Sequence, residues 1–126
     1  MKNIHTNQAP QAVGPYSQGV LVNGTLYVSG QIPFVPETMK LVSDDIADQT
    51  RQSLENILAI VKAAGLKKED IVRCGVFMTD LGDFSKMNAV YAEFFEDHKP
   101  ARAAVEVRRL PRDVLVEIDA IAVKSI

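Results

Sequence analysis

Residues 100–123 read PARAAVEVRRLPRDVLVEIDAIAV, and this stretch decides the fold. Its side chains alternate, as successive residues of a β-strand point to opposite faces. In 102–109, Arg102, Ala104, Glu106 and Arg108 share one face, and Ala103, Val105 and Val107 share the other. Leu110-Pro111-Arg112-Asp113 reads as a tight turn, with Pro111 ending the first strand. In 114–123, Val114, Val116, Ile118, Ala120 and Ala122 make an apolar face, while Leu115, Glu117, Asp119, Ile121 and Val123 make a mixed one. The pattern predicts two strands paired through that turn, with an arginine near one end and two carboxylates in an apolar band. A fixed cation beside an acid can hold an anionic substrate and handle water or protons.

Working outward, 83–97 reads as a helix. Asp83 is the expected cap, and Phe84, Met87, Val90, Tyr91, Phe94 and Phe95 form the apolar side. Before it, 70–79 is a strand with Val72, Cys74, Val76 and Met78 on one face. A longer helix precedes that strand. Ser43 is its predicted N-cap, with Asp44 and Asp45 in the first turn. Ile46, Leu54, Ile57, Leu58, Val61 and Ala64 are predicted to face inward. Asp48, Gln49, Gln52, Glu55 and Lys62 are predicted to face mostly outward, and Gly65 to terminate the helix. Residues 32–41 read as a loop bounded by Pro33 and Pro36. Asn23-Gly24 between 18–22 and 25–29 is a hairpin signal, and 2–6 is a short edge strand. A proline- and glycine-punctuated loop at 7–17 presents Tyr16.

The predicted order is β-β-β-α-β-α-β-β, an α+β domain spanning residues 1–126, with two helices packed on one face of a mixed sheet. The other face, still carrying Leu115, Ile121 and Val123, points to a partner subunit.

With 14 basic against 16 acidic residues, interleaved, the chain lacks the basic stripe that nucleic acid requires. No run is apolar and long enough to span a bilayer, and the N-terminus has no signal-peptide core. One cysteine, Cys74, leaves no internal disulfide, so a reducing cytoplasmic home is expected. His5 and His98 are far apart in sequence with no ligand spacing, so no metal is expected. No Walker loop or dinucleotide fingerprint occurs, so no nucleotide cofactor is indicated.

The residues themselves leave several roles open. Cys74 reads as a small buried hydrophobe rather than a catalytic thiol. Tyr16 is either a ring plugging the core edge or a pocket wall. Asn88 is either a surface residue or a ligand contact. Glu117 is either an ion-pair partner of Arg102, Arg108 or Arg109 or part of an exposed face, or else a functional acid.

Several separated motifs resemble the RidA (YjgF) family of enamine/imine deaminases. They are AVGPYSQ at 12–18, VSGQIP at 28–33, SLENI at 53–57, AAGL at 63–66, PAR at 100–102, VEV at 105–107, Leu110-Pro111, and VEI at 116–118 with Ala120. Their order covers essentially the whole chain. The resemblance implies a chorismate-mutase-like α+β fold and a homotrimer with a ligand cleft between subunits. It implies cofactor-free hydrolysis of 2-enamine/2-imine acids such as 2-aminoacrylate, released by pyridoxal-phosphate dehydratases, to 2-keto acids and ammonia.

Carried over by position, Arg102 would clamp the substrate carboxylate, and Glu117 would hold the attacking water or pass protons. Tyr16, Ser29, Gly30 and Asn88 would line the pocket with Arg102. Three positions depart from the family's habit. Ala104 stands where a cysteine is common, a change expected to affect shape rather than catalysis. Arg108 stands where alanine is common, adding charge near the cleft. Met39 replaces a usual glycine, and an altered turn away from the chemistry is expected. The rival reading is a non-catalytic small-carboxylate binder, or a chaperone-like trimeric protein, using the same clamp.

Overall fold

The computed structural model describes residues 1–125. Eight strands and two α-helices run in the order β1 (Lys2–Ile4), β2 (Gly19–Val22), β3 (Thr25–Gln31), β4 (Phe34–Val35), β5 (Lys40–Leu41), α1 (Ile46–Ala63), β6 (Ile71–Met78), α2 (Phe84–Phe95), β7 (Ala101–Glu106) and β8 (Val116–Val123). Six strands form one mixed sheet in the order β1-β2-β3-β8-β6-β7, while β4 and β5 pair separately. The loop expected at 32–41 therefore contains a small hairpin of its own.

β8 is the spine of the sheet. Its predicted apolar face is correct: Val114, Val116, Ile118 and Ala122 are fully buried and Ala120 nearly so. Val116, Ile118, Ala120 and Ala122 pack with Leu54, Ile57, Ile60 and Val61 of α1 and with Met87, Tyr91 and Phe95 of α2 in one core. Both helices lie on that face of the α+β fold.

The expected pairing of the last two strands is wrong. β8 pairs antiparallel with β3 on one side and β6 on the other. β7 pairs only with β6, in parallel, from Arg73 opposite Ala101 to Met78 opposite Glu106. Two causes favour this arrangement. β6, α2 and β7 form a strand–helix–strand crossover, which lays the two strands parallel and adjacent. β8, apolar on one face and half apolar on the other, gains most from a central place, whereas alanine-rich β7 with Arg102 and Glu106 suits an edge. The intervening turn arches past the end of β6. There the Val107 N–H donates to the Met78 carbonyl (2.7 Å) and the Thr79 N–H to the Leu115 carbonyl (3.2 Å). Leu110 and Val114 bury against Phe34, seating the turn on the β4–β5 hairpin.

Smaller corrections have local causes. A bulge between Ile71 and Arg73 shifts the register with β8, so Val72 is exposed and Ile71 takes the buried place expected for it. The α1 cap is Asp45 rather than Ser43: the Asp48 N–H donates to the Asp45 carboxylate at 3.0 Å, while Ser43 Oγ accepts from the Asp45 N–H. Gln49, expected outside, is buried, and Leu58 is only partly covered. The Gln49 amide donates to the Ser43 carbonyl and accepts the Leu115 N–H, tying α1 to β8. α2 is led in by a 3₁₀ turn whose cap is Asp80, accepting the Gly82 N–H at 2.7 Å; Asp83 makes no side-chain cap bond.

Gly65 ends α1 as predicted. Its φ is +83°, its N–H donates to the Lys62 carbonyl, and the Leu66 N–H donates to the Val61 carbonyl, the paired bonds of a Schellman stop. No helix is long and apolar enough to cross a membrane among the described residues.

Candidate functional site

The predicted residues fall into two groups on opposite sides of the sheet. Arg102 is in register with Cys74, and Cys74 with Ala120, so Arg102 lies on the helix-facing side at the β7 edge. Glu117 is in register with Phe77 on the other side. The two strands are separated by β6, roughly 10 Å apart at sheet spacing. One chain therefore does not set Arg102 beside Glu117, contrary to the arrangement expected from a terminal hairpin.

The first group centres on Arg102. Its Nη1 donates to Asn88 Oδ1 at 2.7 Å, which makes Asn88 an orienting partner of the guanidinium. The guanidinium carbon stands 4.7 Å from the Tyr91 ring centroid and 5.5 Å from that of Phe84. Such stacking fixes the plane of the fork without neutralising it. No carboxylate pairs with Arg102 among the described residues. A cleft of about 400 Å³ beside it is lined by Asn88, Tyr91, His98, Lys99 and Arg102. Beneath it, Cys74 is fully buried, and burial pushes its thiol up to about 11, so it is no nucleophile.

The second group centres on Gly30. A cavity of about 290 Å³ is lined by Tyr16, Gln18, Gly30, Phe34, Met39 and Arg112 among others. Tyr16 is half exposed and plugs no core; its N–H donates to the Gly14 carbonyl. The loop carrying it is held by buried Gln18, whose amide accepts the Thr6 N–H (2.7 Å) and donates to the Pro10 carbonyl (2.8 Å). Ser29 Oγ donates to the Ser17 carbonyl at 2.6 Å, so this hydroxyl holds the loop rather than facing the cavity. Glu117 lies directly against Gly30, where a β-carbon would overlap its Oε2. Burial, and then the nearby Asp119 charge, hold the Glu117 carboxyl above the usual carboxylate range.

The cavity also shows what the sequence reading missed. Met39 lines it with Tyr16 and Gly30, so its departure from glycine falls on the cavity wall. Its φ of +55° explains why glycine suits the position. Arg112 also lines it, with its guanidinium carbon 5.3 Å from the Phe34 centroid. The signal for both was the turn chemistry around them, which marks a loop but not where the loop folds. No cluster of three or more His, Cys, Asp or Glu arranged for a metal occurs among the described residues.

Fold and site together define a two-layer α+β protein with an unneutralised arginine on one side of its sheet and a recessed carboxylate on the other. The family model described as Endoribonuclease L-PSP matches residues 6–124, and the chain belongs to that family, the RidA (YjgF) family of its motifs. A RutC family protein of Pyrococcus horikoshii is 54% identical over 122 residues, covering 97% of each chain. The 2-iminobutanoate/2-iminopropanoate deaminase of Salmonella typhimurium is 54% identical over 126 residues, covering 98% of each. The crystal structure of Escherichia coli TdcF with bound serine superposes with a TM-score of 0.95 at 51% identity, over 99% of this chain and 100% of that one.

Proposed function

We propose that this protein hydrolyses small 2-imino acids, the tautomers of enamines such as 2-aminoacrylate, to 2-keto acids and ammonia. We further propose that each site is completed between copies of the chain in a homotrimer. The observation that carries the reading is the state of Arg102: a fork held in plane by Tyr91 and by a neutral acceptor, with its charge free for an anion. The separation of Arg102 from Glu117 supports the composite site. So do Tyr27, Val105 and Val123, large apolar side chains exposed on the sheet face away from the helices.

In this reading Arg102 binds the carboxylate of the substrate. Water bonds to C2 of the imine while Glu117 takes one of its protons and passes it to nitrogen, giving a carbinolamine. Glu117 then carries the hydroxyl proton to nitrogen, the C2–N bond breaks, and the keto acid and ammonia leave. A carboxyl shifted upward from its ordinary range holds a proton more readily than an ordinary glutamate, which suits transfer in both directions. Tyr16 and the Gly30 backbone border the pocket, and no cofactor takes part. The absence of a basic stripe weighs against RNA as the substrate, despite the family's description.

The test is a coupled assay in which a serine dehydratase releases 2-aminoacrylate in the presence of semicarbazide. The protein should suppress the trapped adduct and speed pyruvate release, and Arg102→Ala should do neither. If the wild type leaves both unchanged yet binds 2-oxobutyrate in an Arg102-dependent way, the chain is a binder of small carboxylates instead.

A further inference from the structure

β8 carries a second acid on the same face as Glu117. Asp119 stands two residues on, about 7 Å along the strand. Each carboxylate lies over a glycine of a neighbouring strand. Glu117 leans over Gly30 of β3, and Asp119 leans over Gly75 of β6, where a β-carbon would come within 2.5 Å of Asp119 Oδ1. The Gly75 N–H donates to that oxygen at 2.9 Å. Neither acid forms an ion pair among the described residues. An unpaired, backbone-pinned carboxylate beside a half-buried one is costly for the sheet and has no packing purpose that a smaller residue would not serve.

We propose that Asp119 is a positioning residue for the acid–base step: pinned on the Gly75 amide, its charge governs whether Glu117 holds its proton. The proposal rests on the deaminase reading and adds to it the group that tunes the proton carrier.

Within one chain, few other charged groups face Glu117. From β6, Phe77 and Gly75 bring no charge, and Arg73 stands opposite Ile121, two residues beyond Asp119. From β3 the titratable side chain on this face is Tyr27, opposite Ile121, and from β7 Ala101, Ala103 and Val105 bring none. Tyr16 and Arg112 lie across the Gly30 cavity. After burial, the Asp119 charge is what raises the Glu117 carboxyl.

The test is Asp119→Asn, which keeps the shape and the acceptor for the Gly75 N–H while removing the charge. Two readouts are followed: the acid limb of the kcat/KM–pH profile, and the titration of the Glu117 carboxyl by ¹³C NMR. Without the neighbouring charge the ionised form of Glu117 is favoured, so both should move to lower pH. If neither moves, the proposal is wrong. Should the variant fail to fold, the same two readouts are taken on Asp119→Ser, which keeps a hydroxyl acceptor for the Gly75 N–H without the charge; no movement of either would overturn the proposal. Absence of imine hydrolysis by the wild type would sink the deaminase reading, while the NMR result would still decide whether the two carboxylates are coupled.

Discussion

Glu117 and Gly30 occupy each other's space: the carboxylate of β8 fills the position that a β-carbon on β3 would take, with Cδ 3.0 Å and Cγ 3.3 Å from it. The missing side chain is what allows an acid to lie flat beside a cavity bordered by Tyr16. Gly30→Ala should therefore displace the carboxylate rather than break the fold, because the group it meets is the end of a flexible side chain. Imine turnover is expected to fall by ~10²-fold, as for a reacting group misplaced by about an ångström. The melting temperature should change little. Unchanged turnover in the coupled assay would refute this role for the glycine.

Met39 sits at φ +55° in the turn between β4 and β5, while its side chain lines the same cavity. A left-handed non-glycine residue costs about 1 kcal/mol or more, and glycine's extra freedom when unfolded returns part of that. Met39→Gly should stabilise the protein by about 0.5 kcal/mol, seen as a small rise in denaturation midpoint. It should also open the wall, raising kcat/KM for bulkier apolar 2-imino acids relative to 2-aminoacrylate. An unaltered substrate preference would place Met39 outside the site.

Burial, and then Asp119, hold the Glu117 carboxyl above the ordinary glutamate range. A carboxyl that binds its proton more tightly folded than unfolded makes stability fall as pH rises from the ordinary value through the raised one. Above that window the ionised group opposes folding. Glu117→Gln should therefore raise the melting temperature at about pH 8, and the gain should vanish below about pH 4, where the wild-type group is protonated in both states. Thermal melts across pH check this. A gain independent of pH would mean that packing, and not charge, is responsible.

Much of the fold was legible because period-two alternation in β8 and 3.6-residue periodicity in α1 and α2 report which face is buried. They do not report which strand is the neighbour. Residues 102–109 and 114–123 alternate well enough to pair with each other, yet β6 lies between them, since a strand–helix–strand unit had already claimed one edge of it. Val72 was misplaced because a bulge adds a residue that alternation cannot count. Gln49 was read as outward because its type is polar; its two bonds to backbone groups of other segments are visible only in three dimensions.

The site was less legible. Charge and type singled out Arg102 and Glu117, and the family's motifs added Tyr16, Ser29, Gly30 and Asn88. Their division between two faces follows from the strand order, which the sequence reading had wrong. Met39 and Arg112 enter the cavity through loops whose path depends on Phe34, Leu110 and Val114 packing together.

In the proposed homotrimer, one site draws Arg102 and Glu117 from different copies of the chain. Mixing Arg102→Ala with Glu117→Gln protein, after unfolding and refolding them together, tests it directly. Each variant alone should be inactive in the coupled imine assay. In random mixed assemblies a site joining the intact Arg102 of one copy to the intact Glu117 of another should form, restoring about a quarter of the wild-type activity. If the mixture stays as inactive as its components while refolded wild type recovers, both residues act within one chain and the composite site is wrong.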